Sequence, residues 1–488
     1  MEIPVNFERG RAGPSVSAEI VQGESVNNSR LSPIRGKTMR LIVPTLAVLF
    51  FVGGVKAAHC AGSSRTQFPL HVSDNNRYLV DKAGKPFFLN GDSAWEIDWQ
   101  LNRHETEMYL EKRRQQGFNA IGIDVIPYSE WSDHVAEKDR EGNSPFLKPG
   151  DFSTPNEAYF NRLGWLIKQA QEKDMLVLLI AADLGYAGLN KPQFNAHDGM
   201  WHSQYKANGP EKCYEYGRFL GQHFGKFKNI LWLLGGDRDP GDVRPEVLAM
   251  ARGLEETAPD QLKTYHAGSK SSGVFFQAEP WLDVNMSYGY RDTYLILAED
   301  YNRTPTKPAF LGESGYEGES NDQRGGTPLR VRRQAYWGVL YGAFGNMYGS
   351  CAWTFNTGWR DWLDSPGANQ MKYFRSFFTS HKWYELKPDF DHRILIGGYE
   401  EGTEMATAAA TPDGDFAVVY MPSARTVTLD LANLGRDLKI EWFDPVNGEI
   451  RPIAESLTAN YGPASFTPPE KTFGSDSDWV LFLVPSRQ

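Results

Sequence analysis

Between Phe87 and Tyr384, short apolar runs alternate with longer segments whose apolar residues recur at helical spacing, the pattern of strand–helix units around a parallel sheet. The runs predict strands at Phe87–Gly91, Ala120–Asp124, Leu176–Ile180, Ile230–Leu234, Thr264–Ala267, Val284–Tyr288, Ala309–Glu313 and Tyr348–Trp353. Helices are expected between them at His104–Gln116, Phe160–Lys173, Tyr214–Lys226 and Arg330–Phe344. Eight strands in roughly 270 residues match the usual size of an α/β, (β/α)8 TIM barrel. Just upstream, residues 65–88 read as a hairpin that turns at Lys82-Ala83-Gly84-Lys85 and leads into the first strand.

From about Lys387 the period changes. Short alternating runs at Ile394–Tyr399, Met405–Ala410, Phe416–Met421, Val427–Leu431, Leu438–Phe443 and Trp479–Val484, with Asp413-Gly414 and Asn447-Gly448 as hairpin-turn signals, predict a small all-β sandwich. The expected organisation is a leader and signal peptide over 1–62, the barrel with its hairpin over 65–385, and the sandwich over 386–488. No constellation of reactive residues stands out in the sandwich, whose expected role is to brace the barrel's flank.

The leader has its own pattern. Leu41–Val55 (LIVPTLAVLFFVGGV) is a single apolar stretch preceded by Arg35, Lys37 and Arg40 and followed by Lys56-Ala57-Ala58. A basic flank, a short apolar centre and small residues after it describe a secretory signal peptide, whereas a membrane span needs about 20 apolar residues. A secreted or periplasmic protein is expected, with no stable membrane span. Met39 sits where such a signal should start, so Met1–Thr38 reads as an over-extended or disordered leader. Cys60 invites a lipoprotein reading, which His59 before it disfavours.

Composition narrows the function. A net charge of -10 excludes a basic face for nucleic acid, while 14 Trp and 22 Tyr supply candidate sugar-stacking surfaces that would equally serve ordinary cores. Cys60, Cys213 and Cys351 form neither a disulfide framework nor a metal-ligand spacing, and Cys213 and Cys351 are expected as free buried thiols. The ten His are scattered, and neither a His-Glu-x-x-His helix, a Gly-x-Ser-x-Gly elbow nor a nucleotide fingerprint occurs. No metal or organic cofactor is expected.

In such a barrel the reactive side chains sit at the carboxyl ends of strands. The fourth strand runs through Gly235-Gly236 into Asp237 and the seventh ends in Glu313, 76 residues on, about three strand–helix units away. Two carboxyls facing one cleft are what glycosidic hydrolysis requires, one to protonate the leaving oxygen and one to support or attack the anomeric carbon. Many retaining glycosidases on this barrel carry acid/base and nucleophile on these strands, so Asp237 fits as acid/base with a raised pKa and Glu313 as an ionised nucleophile. A separation of about 5–5.5 Å is then expected. The competing reading makes Asp237 a helix cap and gives Glu313 an arginine partner, with Asp239 and Glu317 as nearby rivals. Other strand ends supply candidate sugar contacts: Asp92, Trp95, Asp124, Tyr128, Asp183, His266, Tyr288 and Trp353. Asp92 could instead cap the first helix, and His266 could be a hydrogen-bonded core residue.

The segments Phe87-Phe88-Leu89-Asn90-Gly91-Asp92-Ser93-Ala94-Trp95, Gly117-Phe118-Asn119-Ala120-Ile121, Leu231-Trp232-Leu233-Leu234-Gly235-Gly236-Asp237 and Leu311-Gly312-Glu313-Ser314-Gly315-Tyr316-Glu317 resemble the apiosidase-like glycoside hydrolases. Phe416–Pro422 and Trp442–Gly448 resemble the β-sandwich usually attached to them, which carries a collagen-binding label that nothing in its sequence supports. The resemblance covers nearly all of the chain after the signal. It implies a retaining barrel with Asp237 as acid/base and Glu313 as nucleophile, acting on apiosyl linkages of rhamnogalacturonan II. Gly312-Glu313-Ser314-Gly315 departs from the Glu-Pro-x-Tyr-Glu form associated with the family, which puts the neighbouring subsite in doubt. Two rivals stand beside it: the same machinery acting on an arabinofuranoside or pyranoside, and a non-catalytic glycan-binding protein.

Overall fold

The computed structural model describes residues 65–127, 138–186, 201–319, 326–435, 437–454, 462–470 and 476–486. The leader, Leu41–Val55, Cys60 and Tyr128 lie outside the described residues. Three short antiparallel strands, β1 (His71–Val72), β2 (Leu79–Val80) and β3 (Pro86–Phe87), form the entry sheet, with the β2–β3 turn at Lys82–Lys85. Eight parallel strands follow: β4 (Leu89–Ser93), β5 (Ala120–Asp124), β6 (Leu176–Ile180), β7 (Ile230–Gly235), β8 (Leu262–His266), β9 (Asn285–Tyr288), β10 (Ala309–Glu313) and β11 (Ala343–Tyr348). Their order, β8-β7-β6-β5-β4-β11-β10-β9, is that of a nearly closed TIM barrel. At the seam between β8 and β9, Asp283 N donates to Lys263 O (2.9 Å) and Thr264 Oγ1 to Val284 O (2.7 Å), so a side chain stands in where the backbone ladder lapses.

Strands such as β6, Leu-Val-Leu-Leu-Ile, are buried at every position because side chains fill the barrel on one face and helices cover the other. The helices are α1 (Ile97–Gln100), α2 (Arg103–Gln115), α3 (Glu157–Glu172), α4 (His202–Phe224), α5 (Arg244–Thr257), α6 (Gly273–Phe276), α7 (Thr293–Asn302), α8 (Pro328–Leu340) and α9 (Pro366–Thr379). Asn102 and Glu105 close a reciprocal capping box at the start of α2.

Several expected elements shift, among them three in the barrel. The eighth strand is Ala343–Tyr348, and Trp353 lies in the turns after it. Gly342, at φ 98, ends α8 and frees Ala343 and Phe344 to begin that strand. The first strand starts two residues later than expected, at Leu89. α4 begins well before Tyr214, because its first arm ends at Gly209 (φ 66) and Pro210 starts a second.

The carboxyl-terminal region is all antiparallel, with β12 (Lys387–Pro388), β13 (Leu395–Gly397), β14 (Thr407–Ala410), β15 (Ala417–Met421), β16 (Val427–Asp430), β17 (Leu438–Phe443), β18 (Ile450–Ala454), β19 (Pro463–Phe466) and β20 (Trp479–Pro485). They form a six-stranded sheet, β12-β14-β15-β20-β17-β18, and a three-stranded one, β13-β16-β19. The turn glycines Gly414 and Gly448 take positive φ in the β14–β15 and β17–β18 hairpins. Cys213 is buried and free, whereas Cys351, also free, is only half-buried. No helix among the described residues is long and apolar enough to cross a membrane.

The six-stranded sheet packs on α8. The fully buried Arg332 donates through Nε and Nη2 to Asp478 (3.0 and 2.8 Å) and through Nη2 to Asp476 (2.9 Å), while Tyr336 stacks on Tyr420 at 4.7 Å. Trp337 Nε1 donates to Met405 O (2.8 Å). Asp478→Ala removes the better-buried partner and leaves the guanidinium under-compensated, so thermal and denaturant unfolding should show a loss of about 3 kcal/mol. An unchanged stability would mean that the joint does not depend on this ion pair.

Candidate active site

The carboxyl ends of the strands bring Asp183, Asp237, His266, Tyr288 and Glu313 into one cluster with Trp95. Gly235, Gly236 and Asp237 all take positive φ (87°, 118° and 46°), which swings the Asp237 carboxyl over the barrel end. Glycine at 236 is required there: a Cβ would lie 2.3 Å from Asp183 Cγ and Oδ1, so the loop rests directly on that carboxyl group. Gly236 N donates to His266 O (3.0 Å), and Asp183 Oδ1 accepts from Gly185 N (2.7 Å). Trp95 crosses the barrel against Gly122, where a Cβ would be 2.5 Å from the indole, and its ring stacks beside His266 at 6.1 Å.

Among the described residues, Glu313 has no arginine partner. His266 Nε2 lies 2.8 Å from its Oε2, too far off the ring N–H direction to count as a formed hydrogen bond, so the pair is a close polar contact. Tyr316 hydrogen-bonds Glu313 and in turn accepts from Trp95 Nε1 (2.6 Å), giving a chain from the barrel floor to the carboxylate. Tyr288 hydrogen-bonds Asp237 and donates to Tyr290 OH (2.8 Å). Asp237 caps no helix, since α5 starts at Arg244 with Val243 at its N-cap.

The rivals have other occupations. Glu317 is saturated: Oε2 accepts from Tyr348 OH (2.5 Å) and Ser365 Oγ (2.9 Å), and Oε1 from Gly367 N (3.0 Å) at the start of α9. Asp239 pairs with Lys270 in a solvent-exposed bridge. Asp92 is neither cap nor member of the cluster, because its Oδ2 is held by Tyr109 OH (2.5 Å) and Arg113 Nε (3.1 Å) from α2 in a buried ion pair. Asp124 is buried at the end of β5, its N–H donating to Trp95 O (2.9 Å). Trp353 reaches the group through Tyr316, edge-on at 6.4 Å, and donates to Glu319 Oε1 (2.7 Å). Tyr290, Tyr316 and Glu319 were not anticipated. Tyr290 follows the strand-end Tyr288 by two, and Tyr316 follows Glu313 by three, a proximity that strand-end reading alone passes over.

Burial dominates the electrostatics. It pushes the Asp237 carboxyl up to about 8, with the Glu313 charge adding to it and His266 and Tyr288 opposing. Burial likewise raises Asp183 to about 7, against His266 and with Asp237. Glu313, expected to stay ionised, is also raised to about 8 by burial, opposed by the Tyr316 hydroxyl. Burial lowers His266, with Asp237 and Asp183 pulling the other way. The carboxyls therefore titrate as a coupled set that holds protons near neutrality. Among the described residues, the buried Asp237 Oδ1 and His266 Nδ1 have no hydrogen-bond partner, which a polar ligand such as a sugar hydroxyl would supply. No group of three or more His, Cys, Asp or Glu side chains among the described residues is arranged to hold a metal ion.

Because these folded-state values lie above the ordinary 3.8 and 4.5, the native state binds more protons than the unfolded chain. Their stabilising contribution is complete below about pH 4 and is lost as pH rises through 7 to 8. Asp183→Asn, which cannot ionise yet keeps an acceptor for Gly185 N–H, should gain roughly 1–3 kcal/mol over the native protein at about pH 9 and little near pH 4. Unfolding curves in which the gain grows toward acid would contradict this charge arrangement.

Residues 73–385 match the family described as "Apiosidase-like, catalytic domain", and residues 391–484 match "Putative collagen-binding domain of a collagenase". No curated protein matches the chain. Among solved structures the fold is similar to that of a "Glycoside hydrolase", 24% identical with a TM-score of 0.75, covering 87% of this chain and 99% of that one. It is also similar to a glycoside hydrolase family 5 protein from Bacteroides vulgatus, 24% identical with a TM-score of 0.74, over 86% and 94% of the two chains. A match across most of the barrel, with two strand-end acids gathered at its mouth, makes this chain a member of the apiosidase-like glycoside hydrolase family.

Proposed function

We propose that this glycosidase is an exported, retaining enzyme that removes apiosyl or similar furanosyl groups from pectic polysaccharide, rhamnogalacturonan II being the leading candidate. The observation that carries the reading is that Asp237, just beyond the end of β7, and Glu313, at the end of β10, share one cluster at the barrel mouth with Asp183 and His266. In the singly protonated form of the pair, with the proton on Asp237 and Glu313 ionised, Glu313 attacks the anomeric carbon while Asp237 gives its proton to the departing oxygen, leaving a glycosyl ester on Glu313. Esterification removes the Glu313 charge that helps raise Asp237, so the carboxyl that has given up its proton stays ionised and can serve as general base. It then takes a proton from the water that cleaves the ester and frees Glu313. Tyr316 holds the Glu313 carboxylate, with His266 in close polar contact, and Trp95 fixes Tyr316. The substrate class is supported by the family's name, and export by the basic-flanked apolar segment Leu41–Val55.

Glu313→Gln and Asp237→Asn should each lower kcat/KM on an aryl apioside by about 10²–10⁴-fold or more with the fold intact. Proton NMR of the first-formed sugar should show the anomeric configuration of the substrate. Inversion would remove Glu313 from the nucleophile role, and faster turnover of an aryl arabinofuranoside or glucoside than of the apioside would move the substrate class. Binding of pectic fragments without sugar release, unaffected by either substitution, would reduce the protein to a glycan binder.

A further inference from the structure

The opposite end of the barrel holds a second cavity, of about 720 Å³, within the range of small-molecule sites. Its floor is the amino-terminal start of β11, Ala343 and Phe344, so it lies on the other side of the barrel from Asp237 and Glu313. The entry hairpin, the residues linking barrel to sandwich and the β14–β15 turn complete the wall. We propose that this cleft is a secondary oligosaccharide-binding site, separate from the catalytic mouth, which holds the enzyme on the polysaccharide it trims.

The lining has the chemistry that sugars need. Tyr78 and Tyr384 lie 5.6 Å apart with tilted rings, and Arg77 stacks on Tyr301 at 3.8 Å while donating to Tyr301 O (2.6 Å). These planar groups are half-buried, and the rings of Tyr78 and Tyr384 supply apolar surface for the C–H side of a sugar ring. Among the described residues, the hydroxyls of Tyr78, Tyr301 and Tyr384, the remaining N–H groups of Arg77 and the ammonium of Lys387 make no hydrogen bond or ion pair, although all line the cleft. Asp413 adds a carboxylate whose Oδ1 is engaged by Thr411 Oγ1 and Asp415 N and whose other oxygen is a further acceptor. Donors, acceptors and rings of both charge signs converging in one concave site suit a polyhydroxylated ligand better than a purely apolar or purely anionic one. A joint whose only role was to hold the two domains together would be expected to pair these groups across it, as Arg332 is paired with Asp478 elsewhere in the same interface.

The test uses the full chain carrying Glu313→Gln, so that no substrate is consumed, in affinity electrophoresis through citrus pectin and in calorimetry with purified rhamnogalacturonan II. A companion chain adds Tyr384→Ala, and a milder one adds Lys387→Glu in place of it, to guard against misfolding. Retardation and binding are expected in the parent, with at least a fivefold weakening in both companions. The same cleft substitutions placed in the active enzyme should leave kcat/KM on a small aryl glycoside unchanged while slowing sugar release from the polymer. Parent protein that is retarded by neither glycan, or companions that bind both as tightly as the parent does, would overturn the proposal. The choice of glycan rests on the proposed pectic substrate, which turnover of small aryl glycosides tests separately; companions that bind as tightly as a retarded parent would remove the cleft and leave the catalytic assignment standing.

Discussion

Several ionisable groups buried together at the barrel mouth set the terms for everything around them. Asp183, Asp237 and Glu313 gather about one imidazole in a place where water solvates their charges poorly, so the cluster lowers its energy by keeping protons. That arrangement works against stability, and the surrounding fold supports it. Gly236 packs directly on the Asp183 carboxyl and so places Asp237 beside it, Trp95 packs where Gly122 has no side chain, and Tyr316 ties that indole to Glu313. Each of these features positions a charge rather than adding apolar contact, the pattern expected where function is bought from a stable scaffold.

The contrast between neighbouring acids shows how the fold separates structural from reactive carboxylates. Glu317, four residues beyond Glu313, accepts three hydrogen bonds and anchors the start of α9, so it has little capacity left for a ligand. Asp92, at the end of the first barrel strand, is held by Arg113 and Tyr109 within the wall. Among the described residues, Asp237 Oδ1 is buried with no protein partner, and Glu313 faces an imidazole at a poor angle. Asp92 Oδ1 is likewise without a partner, so what separates these acids is their place, Asp92 in the wall beside a guanidinium and Asp237 and Glu313 together at the mouth.

The barrel was legible because its parallel strands are buried on both faces and read as unbroken apolar runs; β5, β6 and β10 fall where the residues place them. The eighth strand was not, since Tyr348–Trp353 is as apolar as a strand and only the positive φ of Gly342 reveals where α8 stops. In the sandwich, β12, β18 and β19 went unread: β12 is two residues long, and β18 and β19 are partly exposed, with a proline inside the first and at the start of the second. The strand-end rule found Asp237, Glu313, Asp183 and His266, but strand position alone could not tell that Asp92 turns toward α2. Nor could it show that Glu313 shares the elevated proton affinity assigned to Asp237, because that comes from burial by residues distant in sequence.

Difference infrared titration of the free enzyme, with Asp237→Asn and Glu313→Gln used to assign the bands, tests the central claim most directly. Protonated carboxyl bands that persist through pH 6 and disappear with apparent midpoints near 8, each lost in its own variant, are predicted. Both bands vanishing near pH 4, as for carboxylates in water, would show that the mouth is solvated and that the barrel holds no coupled acid pair.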